Sequence, residues 1–247
     1  MESSGYSGFA AYYDRLMSDV DYPALAEYFD ELLHNNGAKG GILLDLACGT
    51  GTLSVLLAQR GWNVIAADVS GDMLANAKAH EQVSYICQDM TELDLYGTID
   101  AAVCSFDGFN HLPDKSALLK ALKRVSLFMN AQGVFVFDLN TIYKHETILA
   151  DNIFVKESDG VCCVWRNEYQ GGGTVDIALD IFAERKDGAY ERFTADIRET
   201  AYDFETVREL CKQAEFEVVG CLDFMTQNNI NETSEKAVFV CKVCKTT

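Results

Sequence analysis

Apolar stretches alternate along the first 140 residues with segments whose apolar positions recur every three or four residues. The stretches are typical of strands buried on both faces of a sheet, and the segments between them of amphipathic helices. This order predicts a doubly wound α/β fold with a parallel sheet. The predicted strands are 41–47, 63–69, 83–89, 99–106 and 133–139, and the predicted helices are 21–37, 52–60, 71–80 and 114–130.

The pattern changes near residue 150, where apolar residues begin to alternate with polar ones at every second position. This period, with glycine-rich turns between the stretches, predicts a small antiparallel β region over residues 151–202. A helical pattern then returns at 204–215, followed by apolar strands at 216–224 and 236–243. We therefore predict one domain over residues 1–247 with a seven-stranded Rossmann-like sheet, into which the antiparallel region is inserted.

The most informative feature of the composition is the net charge, which bears on the possible binding partners. The chain of 247 residues is 49% hydrophobic and carries a formal net charge of -18 without a cluster of basic residues. Such a field repels phosphate backbones, so nucleic acid is disfavoured as a partner, whereas cationic ligands are favoured. The sequence has neither a signal-peptide pattern nor an apolar run of about 20 residues, and this predicts a cytoplasmic protein without membrane spans.

The spacing of cysteine and histidine residues would indicate a disulfide framework or a metal centre. The nine cysteines follow no framework spacing and predict free, mostly buried thiols. Cys241 and Cys244 form a CxxC pair, but they lie on a predicted strand where positions three apart face opposite ways. The four histidines are widely separated, and we predict no metal site.

The first predicted strand ends in a glycine-rich turn, "LLDLACGTGTLS" at residues 43–54. The turn matches a dinucleotide fingerprint poorly, because Ala47 and Thr52 occupy the first and last glycine positions. It also lacks the lysine of a phosphate-binding loop. Asp45, just before the turn, would repel a pyrophosphate and suit a cationic nucleoside instead.

Two further acids end the next two predicted strands. Asp68 follows Asp45 by 23 positions, close to the spacing at which a carboxylate accepts hydrogen bonds from ribose hydroxyls, and Asp89 ends the third strand. Because the carboxyl ends of parallel strands share one edge of a sheet, these three carboxylates are expected along the edge where open α/β folds bind ligands.

The segments "LLDLACGTG", "VIAADVS", "ICQDM" and "IDAAVCSF", within residues 41 to about 140, together resemble the class I S-adenosylmethionine-dependent methyltransferases. The resemblance implies S-adenosylmethionine as cofactor, with the methionine moiety held at Asp45 and the glycines, the ribose at Asp68, and the adenine amino group at Asp89. Ala47 replaces the family's first glycine. The implied cofactor-binding residues are Tyr13, Asp45, Ala47, Gly49, Gly51, Asp68, Val69, Met73, Asp89, Met90 and Ser105.

In this set Tyr13 belongs to "AAYYDRLM", which resembles the N-terminal helix that often covers the cofactor in this family. A tyrosine at this position could equally belong to the core, and both interpretations stay open.

The segment "SFDGFNHL" at residues 105–112 follows the fourth strand, where this family usually meets its methyl acceptor. Asn110 and His111 are the candidate catalytic residues, although His111 could instead only fix the loop. We expect the antiparallel region to roof the acceptor pocket. The predicted function is methyl transfer to a small molecule, the alternatives being a protein methyltransferase and a non-catalytic protein that binds the cofactor or docks a partner.

Overall fold

The computed structural model of the protein describes residues 7–244, within which it has six α-helices and eleven strands. The helices are α1 (Ser7–Leu16), α2 (Tyr22–Asn35), α3 (Thr52–Gln59), α4 (Gly71–Ala75), α5 (Lys115–Phe128) and α6 (Phe204–Gln213). The strands are β1 (Ile42–Leu46), β2 (Asn63–Asp68), β3 (Val83–Cys87), β4 (Ile99–Cys104), β5 (Met129–Asn140), β6 (Ile153–Ser158), β7 (Val161–Gly171), β8 (Thr174–Glu184), β9 (Tyr190–Thr200), β10 (Phe216–Asp223) and β11 (Lys236–Val243).

Seven strands form one sheet in the order β10-β11-β5-β4-β1-β2-β3. The strands from β1 to β5 pair in parallel, and β11 pairs antiparallel with both β5 and β10. The direction of winding reverses between β1 and β4, which makes the carboxyl ends of these two strands the topological switch point of the sheet. The predicted doubly wound α/β fold is confirmed.

Helices cover both faces of this sheet, and alternate residues of each strand pack against opposite layers. On β1, Leu43 packs in the layer that contains α2 and α3, whereas Leu44 packs in the layer that contains α5 and α6. Both leucines are fully buried. Asp45 follows in the same alternation, so its side chain points toward α3.

The remaining strands form a separate antiparallel sheet in the order β6-β7-β8-β9. Its inner face packs against α1 through Leu16 and against Leu149, which ends a π-helical segment at Lys144–Leu149. The antiparallel region was predicted, but β6 and the π-helix were not. Strand β6 escapes the period-two pattern because Ile153, Phe154 and Val155 are all exposed at the edge of the sheet.

The predicted helix over residues 71–80 is wrong in its length, since α4 ends at Ala75. Beyond it the backbone bonds to other elements: Lys78 N–H donates to the Thr50 carbonyl at 3.2 Å, and the Lys78 carbonyl accepts the Tyr85 hydroxyl at 2.7 Å. These bonds tie the segment to the glycine-rich turn and to β3, and they replace further helical turns.

All nine cysteines lie among the described residues and are free thiols. Most are buried or half-buried as predicted, but Cys87 and Cys244 are exposed. Cys241 is fully buried on β11 while Cys244 lies beyond the end of that strand, so the CxxC pair does not converge. Over residues 7–244, no helix combines the length and the apolar character that crossing a membrane requires.

Candidate active site

The glycine-rich turn leaves the carboxyl end of β1 at the switch point of the sheet. Ala47, Gly49 and Gly51 all adopt the left-handed backbone conformation, with φ of +58°, +57° and +70°. A Cβ at Gly51 would lie 2.2 Å from the Tyr85 hydroxyl, whereas a Cβ at Gly49 would meet no atom within 4 Å. Gly51 is therefore required by packing, and Gly49 leaves open space in which a ligand could approach the backbone.

Asp45 lies beneath this turn and is only 1% exposed. Its Oδ2 accepts a 2.5 Å hydrogen bond from the Ser54 hydroxyl on α3. Burial raises the pKa of Asp45 from its usual 3.8 to about 7, the Ser54 hydrogen bond lowers it, and the nearby Asp68 carboxylate raises it. A cation placed above the turn would favour the ionised form of this carboxyl group.

Asp68 ends β2 and is half-buried. Its two carboxylate oxygens accept the backbone N–H groups of Gly49 and Ser70, both at 2.8 Å. The next side chain, Val69, is 69% exposed, an unusual exposure for an aliphatic residue at a strand end. This edge of the sheet therefore presents a fixed carboxylate beside an apolar surface. Such a surface suits a nucleoside, in which a polar sugar is attached to a flat base.

The other predicted cofactor residues differ in their exposure. Asp89 is exposed at the end of β3, where its Oδ1 accepts Thr91 N–H at 2.7 Å. Met90 is half-buried against the core. Met73 and Ser105 are 6% exposed each, so both are nearly buried.

Helix α1 lies over the glycine-rich turn. The Thr50 hydroxyl donates to Asp14 Oδ1 at 2.6 Å, and Lys78 lies 3.5 Å from Asp14 Oδ2. The neighbouring Tyr13 is half-buried, and burial together with the adjacent Tyr22 raises its pKa well above the usual value. The helix therefore covers one side of the turn.

The loop after β4 has a strained backbone. Phe106 and Asp107 both have φ of +55°, a conformation that side chains disfavour. Asp138 of β5 holds them there, since its carboxylate accepts the N–H groups of Phe106 at 2.9 Å and Asp107 at 2.7 Å. The loop is thus fixed by a carboxylate from the neighbouring strand.

Lys236 of β11 completes this network. Its ammonium donates to Asp107 Oδ1 at 2.7 Å, lies 3.3 Å from Asp138 Oδ1 and faces the ring of Phe106. Burial alone would raise the pKa of Asp107, but the ammonium groups of Lys236 and Lys144 outweigh it and hold the pKa below its usual range. Asp107 is therefore ionised at neutral pH.

The two candidate catalytic residues occupy different environments. Asn110 is fully buried, and its amide is completely engaged: Nδ2 donates to the carbonyls of Asn140 at 3.3 Å and Thr200 at 3.0 Å, and Oδ1 accepts Asn140 N–H at 2.9 Å. These bonds give Asn110 a structural role, joining the loop to β5 and β9. His111 is exposed beside it.

His111 meets two carboxylates at the edge of the site. One carboxylate oxygen of Asp107, one ring nitrogen of His111 and one carboxylate oxygen of Glu199 all lie within 4.8 Å of one another, and we call these residues the Asp107–His111–Glu199 cluster. Sequence reasoning missed Glu199, which comes from β9. The sequence carried one signal for it, because Glu199 is an even number of positions from the apolar residues Phe193 and Ala195. Such positions lie on the same face of a strand, here the inward one.

Known proteins whose sequences match this chain are methyltransferases. A family model described as a methyltransferase domain matches residues 43–127. A putative methyltransferase of Geobacillus sp. is 31% identical over 96% of this chain and 99% of its own length.

Two solved structures extend the likeness to the whole fold. An S-adenosylmethionine-dependent methyltransferase from Clostridium acetobutylicum is 29% identical, with a TM-score of 0.86 over 97% of this chain and 99% of that one. The sugar N-methyltransferase KedS8 from Streptoalloteichus sp. is 21% identical, with a TM-score of 0.81 over 99% of this chain and 96% of that one, and shares the fold. This chain belongs to the class I S-adenosylmethionine-dependent methyltransferases.

Proposed function

We propose that this protein transfers the methyl group of S-adenosylmethionine to a small molecule bound between the sheet edge and the antiparallel sheet. The supporting observation is that the antiparallel sheet and α1 close over the carboxyl ends of the strands. Asn110 ties the loop after β4 to the Thr200 carbonyl of β9, and the rings of Tyr12 and Phe193 lie 5.5 Å apart. A site covered in this way suits a small molecule better than a polymer.

In this proposal the adenosine lies along the ends of β2 and β3. The ribose hydroxyls donate to the remaining lone pairs of Asp68, the adenine packs on the exposed Val69, and its amino group meets Asp89 beside Met90. The methionine moiety lies over Gly49, where the backbone is open.

The other residues of the predicted set support these contacts. Asp45 supplies negative charge beneath the sulfonium end, and Tyr13 covers the cofactor from α1. Ala47 and Gly51 shape the turn, while Met73 and Ser105 are nearly buried residues of the set.

Methyl transfer from a sulfonium is an in-line displacement with an activated leaving group, so the protein mainly aligns donor and acceptor. Alignment alone can supply roughly 7–11 kcal/mol of such a barrier. The fixed loop after β4 is suited to this task, because Asp138 and Lys236 hold its strained backbone in one conformation.

We also propose that the chain works in the cytoplasm as one domain with residues 151–202 inserted. Nine free cysteines agree with a reducing compartment.

The experiment is a screen of a small-molecule extract of the source cells with radiolabelled S-adenosylmethionine. Label in a low-molecular-mass product supports the proposal, and label in protein alone contradicts the small-molecule acceptor. Cofactor binding by calorimetry without any labelled product would favour a non-catalytic protein.

Replacing Asp68 with alanine is expected to weaken S-adenosylmethionine binding by about 1–3 kcal/mol, roughly 5- to 150-fold in Kd. The variant removes the acceptor for the ribose and releases the N–H groups of Gly49 and Ser70. Calorimetric titration measures the effect. Asp94→Ala, at a side chain that is 80% exposed, is the matched control and should leave Kd unchanged. Equal affinities for all three proteins would refute the ribose assignment.

A further inference from the structure

The Asp107–His111–Glu199 cluster lies beside the glycine-rich turn. A Cβ at Gly108, between the first two members, would lie 2.9 Å from the Cβ of Ala47 in that turn. The cluster is open to solvent at His111 and nearly closed at Glu199, whose side chain is 6% exposed. It therefore forms a polar side of the proposed acceptor site, next to the place proposed for the methyl donor.

A buried histidine behind this cluster has one ring nitrogen without a hydrogen-bond partner. His145 is fully buried on the π-helix, and its Nδ1 lies 2.7 Å from the Gly173 carbonyl, to which it must donate because a carbonyl only accepts. Its Nε2 has no hydrogen-bond partner among the described residues and lies 3.4 Å from Glu199 Oε2. When His145 is neutral, its Nε2 and the Glu199 carboxylate are both hydrogen-bond acceptors that face each other, so this imidazole supplies no donor to Glu199.

The neighbouring donors already have partners, some of them within the cluster itself. The Lys236 ammonium bonds to Asp107 and lies against Asp138, and the Lys144 ammonium donates to Asn140 Oδ1 at 2.9 Å. The Nδ2 group of Asn140 donates to Glu199 Oε2 at 3.0 Å. An incoming ligand therefore meets carboxylate oxygens and an imidazole, so it must bring several donors of its own.

An ammonium group brings three N–H donors and a positive charge, whereas a hydroxyl brings one donor and no charge. We propose that the Asp107–His111–Glu199 cluster binds the ammonium group of a small-molecule amine and that His111 takes a proton from it before methyl transfer. This inference rests on the proposed function and names its acceptor class.

The step balances without any further reactant. One N–H bond of the ammonium breaks and its proton moves to the His111 imidazole, which leaves a lone pair on the nitrogen. That lone pair forms the new N–C bond to the methyl carbon while the C–S bond breaks, and the sulfonium becomes a neutral thioether. The carboxylates of Asp107 and Glu199 hold the nitrogen during the transfer, with the ammonium groups of Lys144 and Lys236 near Asp107.

The first test is the chemistry of the labelled product from the extract screen. Mass spectrometry of the purified product should locate the methyl group on nitrogen. A methyl group on oxygen, sulfur or carbon would overturn the amine inference while leaving the proposed methyltransferase function intact. Absence of any labelled product would contradict both the proposed function and this inference.

The second test uses His111→Gln with the amine identified in that screen. At pH 7 we expect turnover to fall about 100-fold, the typical contribution of a general base. The deficit should shrink as the pH approaches about 10, where free amines lose their proton in solution. A deficit that stays constant with pH would indicate a merely structural role and contradict the proposal. His34→Gln, at an exposed histidine of α2, is the matched control and should keep full turnover.

The third test separates binding of the amine from binding of the cofactor. Glu199→Gln keeps the size of the side chain but replaces a carboxylate oxygen with a donor, so we expect KM for the amine to rise about 10-fold or more. Calorimetry should give unchanged affinity for S-adenosylmethionine. An unchanged KM would contradict the assignment, and so would loss of wild-type activity in a chelator with recovery on adding a divalent cation, because the cluster would then hold a metal.

Discussion

Replacing Lys236 with methionine is expected to lower the free energy of unfolding by about 3–5 kcal/mol, the range typical for removal of one partner from a buried ion pair. The Lys236 side chain is 12% exposed and lies between the carboxylates of Asp107 and Asp138. Methionine fills similar space but leaves two neighbouring acids without their shared cation. Burial and the like charge of Asp107 already raise the pKa of Asp138, even with the ammonium present.

Urea unfolding at pH 7 measures this effect. Lys39→Met, at an exposed lysine, is the matched control and should change stability by less than about 0.5 kcal/mol. The double variant Lys236→Met with Asp107→Asn should recover part of the loss, because it removes one of the two uncompensated charges. A loss of under about 1 kcal/mol for Lys236→Met would mean that the network contributes little to the fold.

The same substitution bears on function through the loop after β4. The strained backbone at Phe106 and Asp107 is kept in place by Asp138, whose carboxylate lies 3.3 Å from the Lys236 ammonium. Stability and the geometry of the proposed acceptor pocket thus draw on one buried network, formed by a loop and two strands.

Much of the cofactor edge was predictable because its signals are local. Asp45, Asp68 and Asp89 each stand at the end of an apolar run, and parallel strands bring such ends to one edge. The structure adds how they are held: Asp45 by Ser54, and Asp68 by two backbone N–H groups. The assignment of these residues to the cofactor stays a prediction until binding is measured.

The acceptor side was largely hidden from sequence reasoning because its residues come from distant segments. Glu199 reaches His111 from β9, and Lys236 reaches Asp107 from β11. The sequence also offered no means of separating Asn110 from His111, which are adjacent in the chain. Only the packing of β9 against the loop buries the first and leaves the second exposed.

Replacing Asp45 with asparagine is expected to stabilise the cofactor-free protein progressively as the pH rises. The folded chain keeps a proton on Asp45 up to about pH 7, whereas the unfolded chain loses it near 3.8. Wild-type stability therefore contains a contribution that is complete below about pH 4 and is lost as the pH rises to about 7. Each pH unit in that window costs about 1.4 kcal/mol, so the stability of the variant relative to wild type should rise by about 4 kcal/mol between pH 4 and pH 8.

The measurement is urea unfolding of both proteins from pH 4 to pH 8. The quantity compared is the change with pH in the stability difference between variant and wild type, so effects of the substitution that do not depend on pH cancel. The same variant should bind S-adenosylmethionine at least about 10-fold more weakly at pH 8, because a neutral amide loses the attraction to the sulfonium. Asp94→Asn, at an exposed carboxylate, should follow wild type in both assays. Parallel stability curves for Asp45→Asn and wild type would mean that Asp45 is already ionised in the folded chain at acidic pH. Divergent stability curves together with weaker cofactor binding would identify Asp45 as a buried acid whose ionised form destabilises the fold until the cation binds above it.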